Sequence, residues 1–437
     1  MFRLSLALSL AFTWATIAAA QKEKPVVTNE VPKEKKDFPP GWFPINLAED
    51  DKWTWKQIRD DDEKEPKVRL YLPPGVKSVR GVFLSFQFHS ADARHMGKLW
   101  DFAVVTIPWP ISWDIGSGDQ RSGRVKLGLP IGNTGYLLRY LELAAADTNH
   151  PELTTAPIVG WLHQDGAKFL ANLYPRAPQR ILAWSDGWPN QMKDVAEITP
   201  KVPFVFAWEV NGGDRKEREA AATAAGDTLK EKLTPPTGLV GRATMYNFPH
   251  GMYAKHGYFM SYLDRCVRAR MPAEMPPIGQ EVTLKPLNLK DGWAGDYNGV
   301  SEWAPIAPVS EAKGFIQPVW FPDEYAAWTW RAYHSAKPDL KIVSPVTEYH
   351  GGDRSDCGVG YTKFTPANTP VKIVAEVKGT YAKVEFRDGN KLLGTATAAP
   401  YEIDGIKFAR GLHALIAVGI TAEGKHVASH PAFLGVE

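Results

Sequence analysis

The sequence predicts an α/β unit built on a mostly parallel sheet with helices on both faces, followed by a small all-β sandwich. Three observations carry this. Between residues 68 and 270, short β-branched and aromatic runs alternate with stretches whose apolar residues recur at helical spacing, the signature of strands joined by crossover helices. From about Lys341 the period becomes two, in VKIVAEV, AKVEFRDG and HALIAVGITAEG, with Asp388-Gly389 and Glu423-Gly424 placed as hairpin turns. The chain has 437 residues, 44% of them hydrophobic, more than one small core ordinarily uses, so two units are expected.

Taken in order, the chain opens with Arg3 and an apolar run from Leu4 to Ala20 that closes on Ala18, Ala19 and Ala20. That is the pattern of a secretory signal peptide over residues 1–20, so an extracellular or periplasmic location is expected. No later stretch approaches the roughly 18 uninterrupted apolar residues of a membrane span. Residues 21–40 mix lysine, glutamate and proline with little apolar periodicity and read as a disordered linker.

The α/β unit is expected over residues 41–277. Its strands are VRLYLPPG (68–75), GVFLSFQFH (81–89), FAVVTIP (102–108), the run Ala156 to Trp161, ILAWS (181–185), VPFVFAW (202–208) and RATMYNF (242–248). A helix-like connection, HSADARHMGKLWD, follows the second strand, and helical spacing marks Thr134 to Ala146, with Leu137, Leu138, Tyr140, Leu141 and Leu143 on one face, and Ala167 to Tyr174 with Phe169, Leu170 and Leu173. A last helix, Tyr258 to Arg270, stops before Met271-Pro272. Residues 278–340, rich in Trp and Pro, read as a bridge packed on this unit, with a short helix over PDEYAAWTWRAY that carries Asp323 and Glu324 in its first turn. Residues 341–437 form the sandwich.

Lys plus Arg number 51 against 49 Asp plus Glu, a formal charge of +2. No long-range field is available to gather nucleic acid or anionic membrane, so a neutral ligand is expected. The two cysteines, Cys266 and Cys357, exclude a disulfide-dense scaffold and leave their own pairing open. No zinc, calcium or phosphate-loop pattern occurs, so no metal and no cofactor are expected.

The chemistry is expected in APIVGWLHQDGAKFLANLYP (156–175), where a strand turns tightly into a helix. Together with the upstream helix and the phrase NHPELTTAPIVGW, this stretch resembles secreted bacterial esterases of the polyhydroxybutyrate-depolymerase-like kind, which have the α/β-hydrolase fold. The resemblance spans roughly residues 66–340. Members carry a Gly-His-Ser-x-Gly-Gly turn at this point. Laid onto it, Leu162 falls at the first glycine, His163 matches the histidine, Gln164 takes the nucleophile position and Gly166 keeps the following glycine. A carboxamide nitrogen is delocalised into its carbonyl and forms no acyl-enzyme. Asp165 is the rival nucleophile. Ser117, in Gly116-Ser117-Gly118, has no helix after it and reads as a turn residue, and Ser185 reads as a strand-terminal polar group.

The resemblance implies an acid and then a histidine after later strands. His250 follows RATMYNF, with His256 as its competitor. Asp214 lies in the turn after VPFVFAW, with Glu209 closer to the strand. The oxyanion donors would be the backbone N–H of Asp165 and the loop holding His89 and Ser90. Trp113 and Trp188, with Trp161 and His163, are the candidate ligand contacts.

The string AKVEFRDGNKLLGTATAAPYEI resembles bacterial immunoglobulin-like modules appended to secreted carbohydrate-active proteins, which serve as spacers or weak binders. The expected function is therefore an exported esterase-type protein for polymer or carbohydrate esters, with weak or lost activity at Gln164. The alternatives are a non-catalytic binder of a polysaccharide or small ester ligand, and a cell-surface structural protein.

Overall fold

The computed structural model describes residues 31–38, 41–47, 67–86, 90–107, 134–163, 166–187, 195–210, 238–246, 253–297, 303–335, 339–345 and 365–437. Eight strands, β1 (Asn46–Leu47), β2 (Arg69–Tyr71), β3 (Gly81–Phe86), β4 (Phe102–Ile107), β5 (Ile158–His163), β6 (Ile181–Gly187), β7 (Phe204–Val210) and β8 (Val240–Tyr246), form one sheet. Their spatial order is β1-β2-β4-β3-β5-β6-β7-β8. Every neighbouring pair is parallel except β2 with β4. This is the strand order of the α/β-hydrolase fold, as the sequence led us to expect. Several strand ends differ by two residues from the expected ones, the ordinary uncertainty of a boundary read from pattern alone.

Helices α1 (Ser90–Trp100), α2 (Gly135–Thr148), α3 (Gly166–Leu173) and α4 (Tyr253–Arg270) cover the sheet. Side chains alternate across a strand, so each face has its own core. Val82 and Leu84 of β3 join Leu137, Leu141 and Leu170 on the side of α2 and α3. Phe83 joins Met96, Phe259 and Leu263 on the side of α1 and α4. Each such side chain contributes about 1.5–3 kcal/mol on burial. Because both faces are covered, β4 and β6 are buried along their whole length, and FAVVTI of β4 and ILAW of β6 read in sequence as nearly continuous apolar runs.

The end of the expected linker is described and packs. Phe38 stands 5.1–5.5 Å, ring to ring, from Trp42, Phe43 and Tyr136, and Lys35 pairs with Asp147 at the end of α2. The stretch has no apolar period, yet three closely spaced aromatic rings supply the burial that orders it.

The bridge contains more than its expected helix. β9 (Trp293–Asp296), β10 (Ile306–Pro308) and β11 (Pro318–Phe321) form a small antiparallel sheet. Helix α5 (Glu324–Ser335) follows, and Asp323 caps it by accepting the Ala326 N–H at 2.9 Å. Trp320, Phe321, Trp330 and Tyr333 enter the same core as Tyr258 and Tyr262 of α4, and the Trp330 indole donates to the Arg242 carbonyl of β8 at 2.6 Å. The bridge is thus fused to the sheet unit.

The C-terminal sandwich has one sheet of β12 (Leu340–Ser344), β13 (Val371–Val377) and β16 (Glu402–Ile406). The other holds β14 (Lys383–Asp388), β15 (Lys391–Ala396), β17 (Gly411–Ile420), β18 (His426–Ala428) and β19 (Ala432–Val436). Ile373, Val384, Phe386, Leu415 and Leu434 meet between them. Asp388 pairs with Lys391 across a two-residue turn in which Gly389 has φ 54°, a conformation glycine adopts without steric cost. Among the described residues no helix is long and apolar enough to cross a membrane.

Candidate functional site

Strands β3, β5, β6, β7 and β8 run in one direction, so their C-terminal ends share one edge of the sheet, where ligands of open α/β sheets bind. β5 lies near the middle of the sheet. It ends at His163 and α3 begins at Gly166, which leaves only Gln164 and Asp165 between strand and helix. Those two residues lie outside the described set. A strand, a two-residue connection and a helix at a central position is nevertheless the arrangement the resemblance implied.

Close packing beneath this turn explains its glycines. At Gly160 a Cβ would overlap the Trp184 ring, and at Gly166 it would come within 3.0 Å of the Leu162 Cβ and the Asp186 carboxylate. Leu162, at the first-glycine position, is buried and stands in register with Asp186.

β6 grips the start of α3 with two side chains. The Trp184 indole N–H donates to the Gly166 carbonyl at 3.0 Å. Two residues further on, and so on the same face of the sheet, Asp186 Oδ2 accepts the Ala167 N–H at 2.8 Å. The carbonyl and the N–H belong to one peptide unit, which is held at both ends. Asp186 has no exposed surface, and it satisfies one of the N–H groups that a helix start leaves without an intrahelical acceptor. Sequence reasoning missed this residue. Its only signal was a lone acid closing an apolar strand in Trp184-Ser185-Asp186-Gly187. Ser185 points to the opposite face, fully buried, and donates to the Gly160 carbonyl at 3.3 Å.

The remaining candidates are placed by backbone alone or lie outside the described residues. His163 is the last residue of β5, Ser90 the first of α1, Glu209 the penultimate residue of β7, and His256 lies in the first turn of α4. The side chains of these four are outside the described set. His89, Asp214, His250, Trp113 and Trp188 lie outside it altogether. What the fold does place is the strands leading to them: β3 runs toward His89 and Ser90, β5 toward Gln164, β7 toward Asp214 and β8 toward His250, all ending at the same edge. Trp161 is 1% exposed and stacks on Phe83 with ring centroids 6.3 Å apart, a core position on the α1/α4 face.

Cys266 is buried in α4, where burial raises its thiol well above the ordinary range, and Cys357 lies outside the described residues. Arg270, at the end of α4, donates to the Ile181 and Leu182 carbonyls of β6 and to the Lys285 carbonyl, tying helix, sheet and bridge together. Among the described residues no cluster of His, Cys, Asp or Glu is arranged to hold a metal ion.

No family model and no curated protein matches the chain. Among solved structures it is similar to an α/β serine hydrolase homologue from Coxiella burnetii, at 14% identity and a TM-score of 0.28, over 46% of this chain and 90% of that one. It is similar to an IroE-like serine hydrolase from Shewanella oneidensis at 14% identity and a TM-score of 0.27, over 41% and 68%. The fibronectin(III)-like modules of Clostridium thermocellum CbhA match at 27% identity and a TM-score of 0.18, over 22% of this chain and 93% of that one. The fold assignment rests on strand order and direction. The chain has an α/β-hydrolase fold, followed by an all-β sandwich of the immunoglobulin and fibronectin-III-like class.

Proposed function

We propose that this is an exported protein of esterase ancestry in which Gln164 stands where the nucleophile would be. In this reading the C-terminal edge of the sheet binds a neutral polymer or small ester ligand and hydrolyses it slowly or not at all. One observation supports it above others: the connection from β5 to α3 is two residues long, and Gln164 is the first of them. The grip of Trp184 and Asp186 on the Gly166–Ala167 peptide supports a turn that keeps its shape without its nucleophile. Binding and backbone donors alone still accelerate hydrolysis by about 10³ to 10⁴ over water when a triad member is removed, so slow turnover by a bound water fits the same site. Export rests on Arg3 and the apolar run that closes at Ala20.

A second reading, a binder of polysaccharide without catalysis, is favoured by Leu162. Its buried side chain occupies a position where the resembling esterases have glycine.

The test is a panel of acetyl, feruloyl and methyl esters assayed with the native protein, Gln164→Ser and Gln164→Ser/His250→Ala. The esterase-ancestry reading expects activity in Gln164→Ser that the second change abolishes. Equal activity in the single and double variants would remove His250 from the site. No activity in Gln164→Ser, with saturable binding of a polysaccharide by the native protein, would favour the second reading.

A further inference from the structure

The sandwich meets the α/β unit on α5, and a continuous chain of hydrogen bonds crosses that contact. Tyr325, in the first turn of α5, donates its hydroxyl to Asp388 Oδ1 at 2.6 Å and accepts the Ala414 N–H at 2.6 Å. Asp388 Oδ2 lies 2.7 Å from His413 Nδ1, and His413 Nε2 lies 2.9 Å from the Ala409 carbonyl oxygen. The fit is close on both sides. The Tyr325 ring fills the space beside Gly389, where any Cβ would overlap it, and Asn390 of the same turn donates to Glu324 at 2.9 Å.

The surroundings of His413 decide its charge. A neutral imidazole has one N–H and one lone pair, whereas an imidazolium has two N–H groups. Both ring nitrogens here face oxygens that only accept, a carboxylate and a backbone carbonyl. A neutral ring would direct a lone pair at one of them and lose that hydrogen bond. An imidazolium donates to both.

We propose that this contact is a proton-dependent latch between α5 and the sandwich, closed while His413 is an imidazolium and loosened when the ring releases its proton to solvent. The groups around the ring are of both signs, with the nearest, Asp388, favouring the imidazolium. Asp388 faces it from β14, and Tyr325 and Glu324 stand behind Asp388 and its turn on α5. From α4 come Arg268, paired with Asp264 at 2.7 Å, and Arg265, paired with Asp323 and lying 4.9 Å from the Tyr325 ring. Arg410, the residue before β17, is engaged with Asp101. The Phe408 ring covers the imidazole at 4.8 Å. Burial alone would lower the pKa of His413, but the hydrogen bond to Asp388, its charge and the Ala409 carbonyl outweigh that effect and the opposing Arg268, so the pKa is raised above 6.5. Burial, with Asp388 adding to it, holds the Tyr325 hydroxyl well above 10, so the phenol stays a donor throughout. Because the folded-state pKa of His413 is raised, its contribution is complete below the unfolded value and is lost as pH rises through the folded one.

The test is hydrogen exchange of the full-length protein between pH 6 and 9, corrected for intrinsic exchange and read on residues 324–329 and 411–416 against β5. Protection of the two junction segments is expected to fall with rising pH, by up to about tenfold for each unit by which the His413 pKa exceeds its unfolded value, while β5 is unchanged. His413→Gln is expected to show reduced protection at pH 6 and no pH dependence in those segments. A pH dependence in His413→Gln equal to that of the native protein would overturn the latch. If the variant does not fold, ring titration of the native protein by NMR decides. A midpoint above 6.5 supports the latch, and one at or below 6.5 contradicts it.

Discussion

The carboxylate of Asp186 accepts the backbone N–H of Ala167 at 2.8 Å, reaching from β6 to the first turn of the helix that follows β5. Removing it leaves a buried donor without that acceptor, a loss worth about 1–3 kcal/mol. Asp186→Ala is therefore expected to lower the stability measured by urea unfolding by that amount. Asp186→Asn keeps an accepting oxygen in nearly the same volume and is expected to recover most of the loss. Equal destabilisation by the two variants would show that the hydrogen bond to Ala167 is not what Asp186 contributes.

His430 carries the opposite pH signature to His413. It is half-buried beside Tyr333 at the far end of α5, with ring centroids 5.9 Å apart and its Nδ1 out of solvent, and burial lowers its pKa to about 4. Between pH 6.5 and 4 the unfolded chain binds a proton at this residue that the folded chain refuses. Stability must fall as pH falls through that window, by up to about 3 kcal/mol from this one group. Urea unfolding at pH 7, 6, 5 and 4 measures it. His430→Phe is expected to flatten the acid limb, and an unchanged limb in that variant would assign the acid sensitivity to other groups.

Phe38 tests whether the segment before β1 is part of the fold. Its ring is 8% exposed, among Trp42, Phe43 and Tyr136. Phe38→Ala is expected to cost about 2–4 kcal/mol in thermal or urea unfolding. A change within about 0.5 kcal/mol, the usual range for a surface substitution, would return the segment to the status of a linker.

Alternating patterns made the sheet unit and the sandwich legible, because a parallel sheet covered on both faces and a half-buried antiparallel strand leave different periods. The strand and helix on either side of Gln164 and Asp165 were legible for the same reason, since an apolar run, a small residue and a helical period follow one another within a few positions. Asp186 was not. Its importance comes from the register that sets it opposite Leu162 and from a partner on another element. Trp161 stood at a strand end and so read as a ligand contact, but the parity of β5 turns it toward Phe83 in the core. The sheet β9-β10-β11 was hidden because strands of three or four residues, such as Trp293–Asp296, are too short to display a period. The His413 junction depends on three segments far apart in sequence, and nothing local marks it.

In the proposed reading Gln164 follows β5 where an acylated residue would be, and it is not acylated. Rapid mixing of the native protein with an activated acetyl ester, followed by intact-mass analysis of the quenched protein, tests it directly. The expected result is no pre-steady-state burst and no acetyl adduct. A stoichiometric burst with an adduct mapped to residues 158–173 would contradict the account.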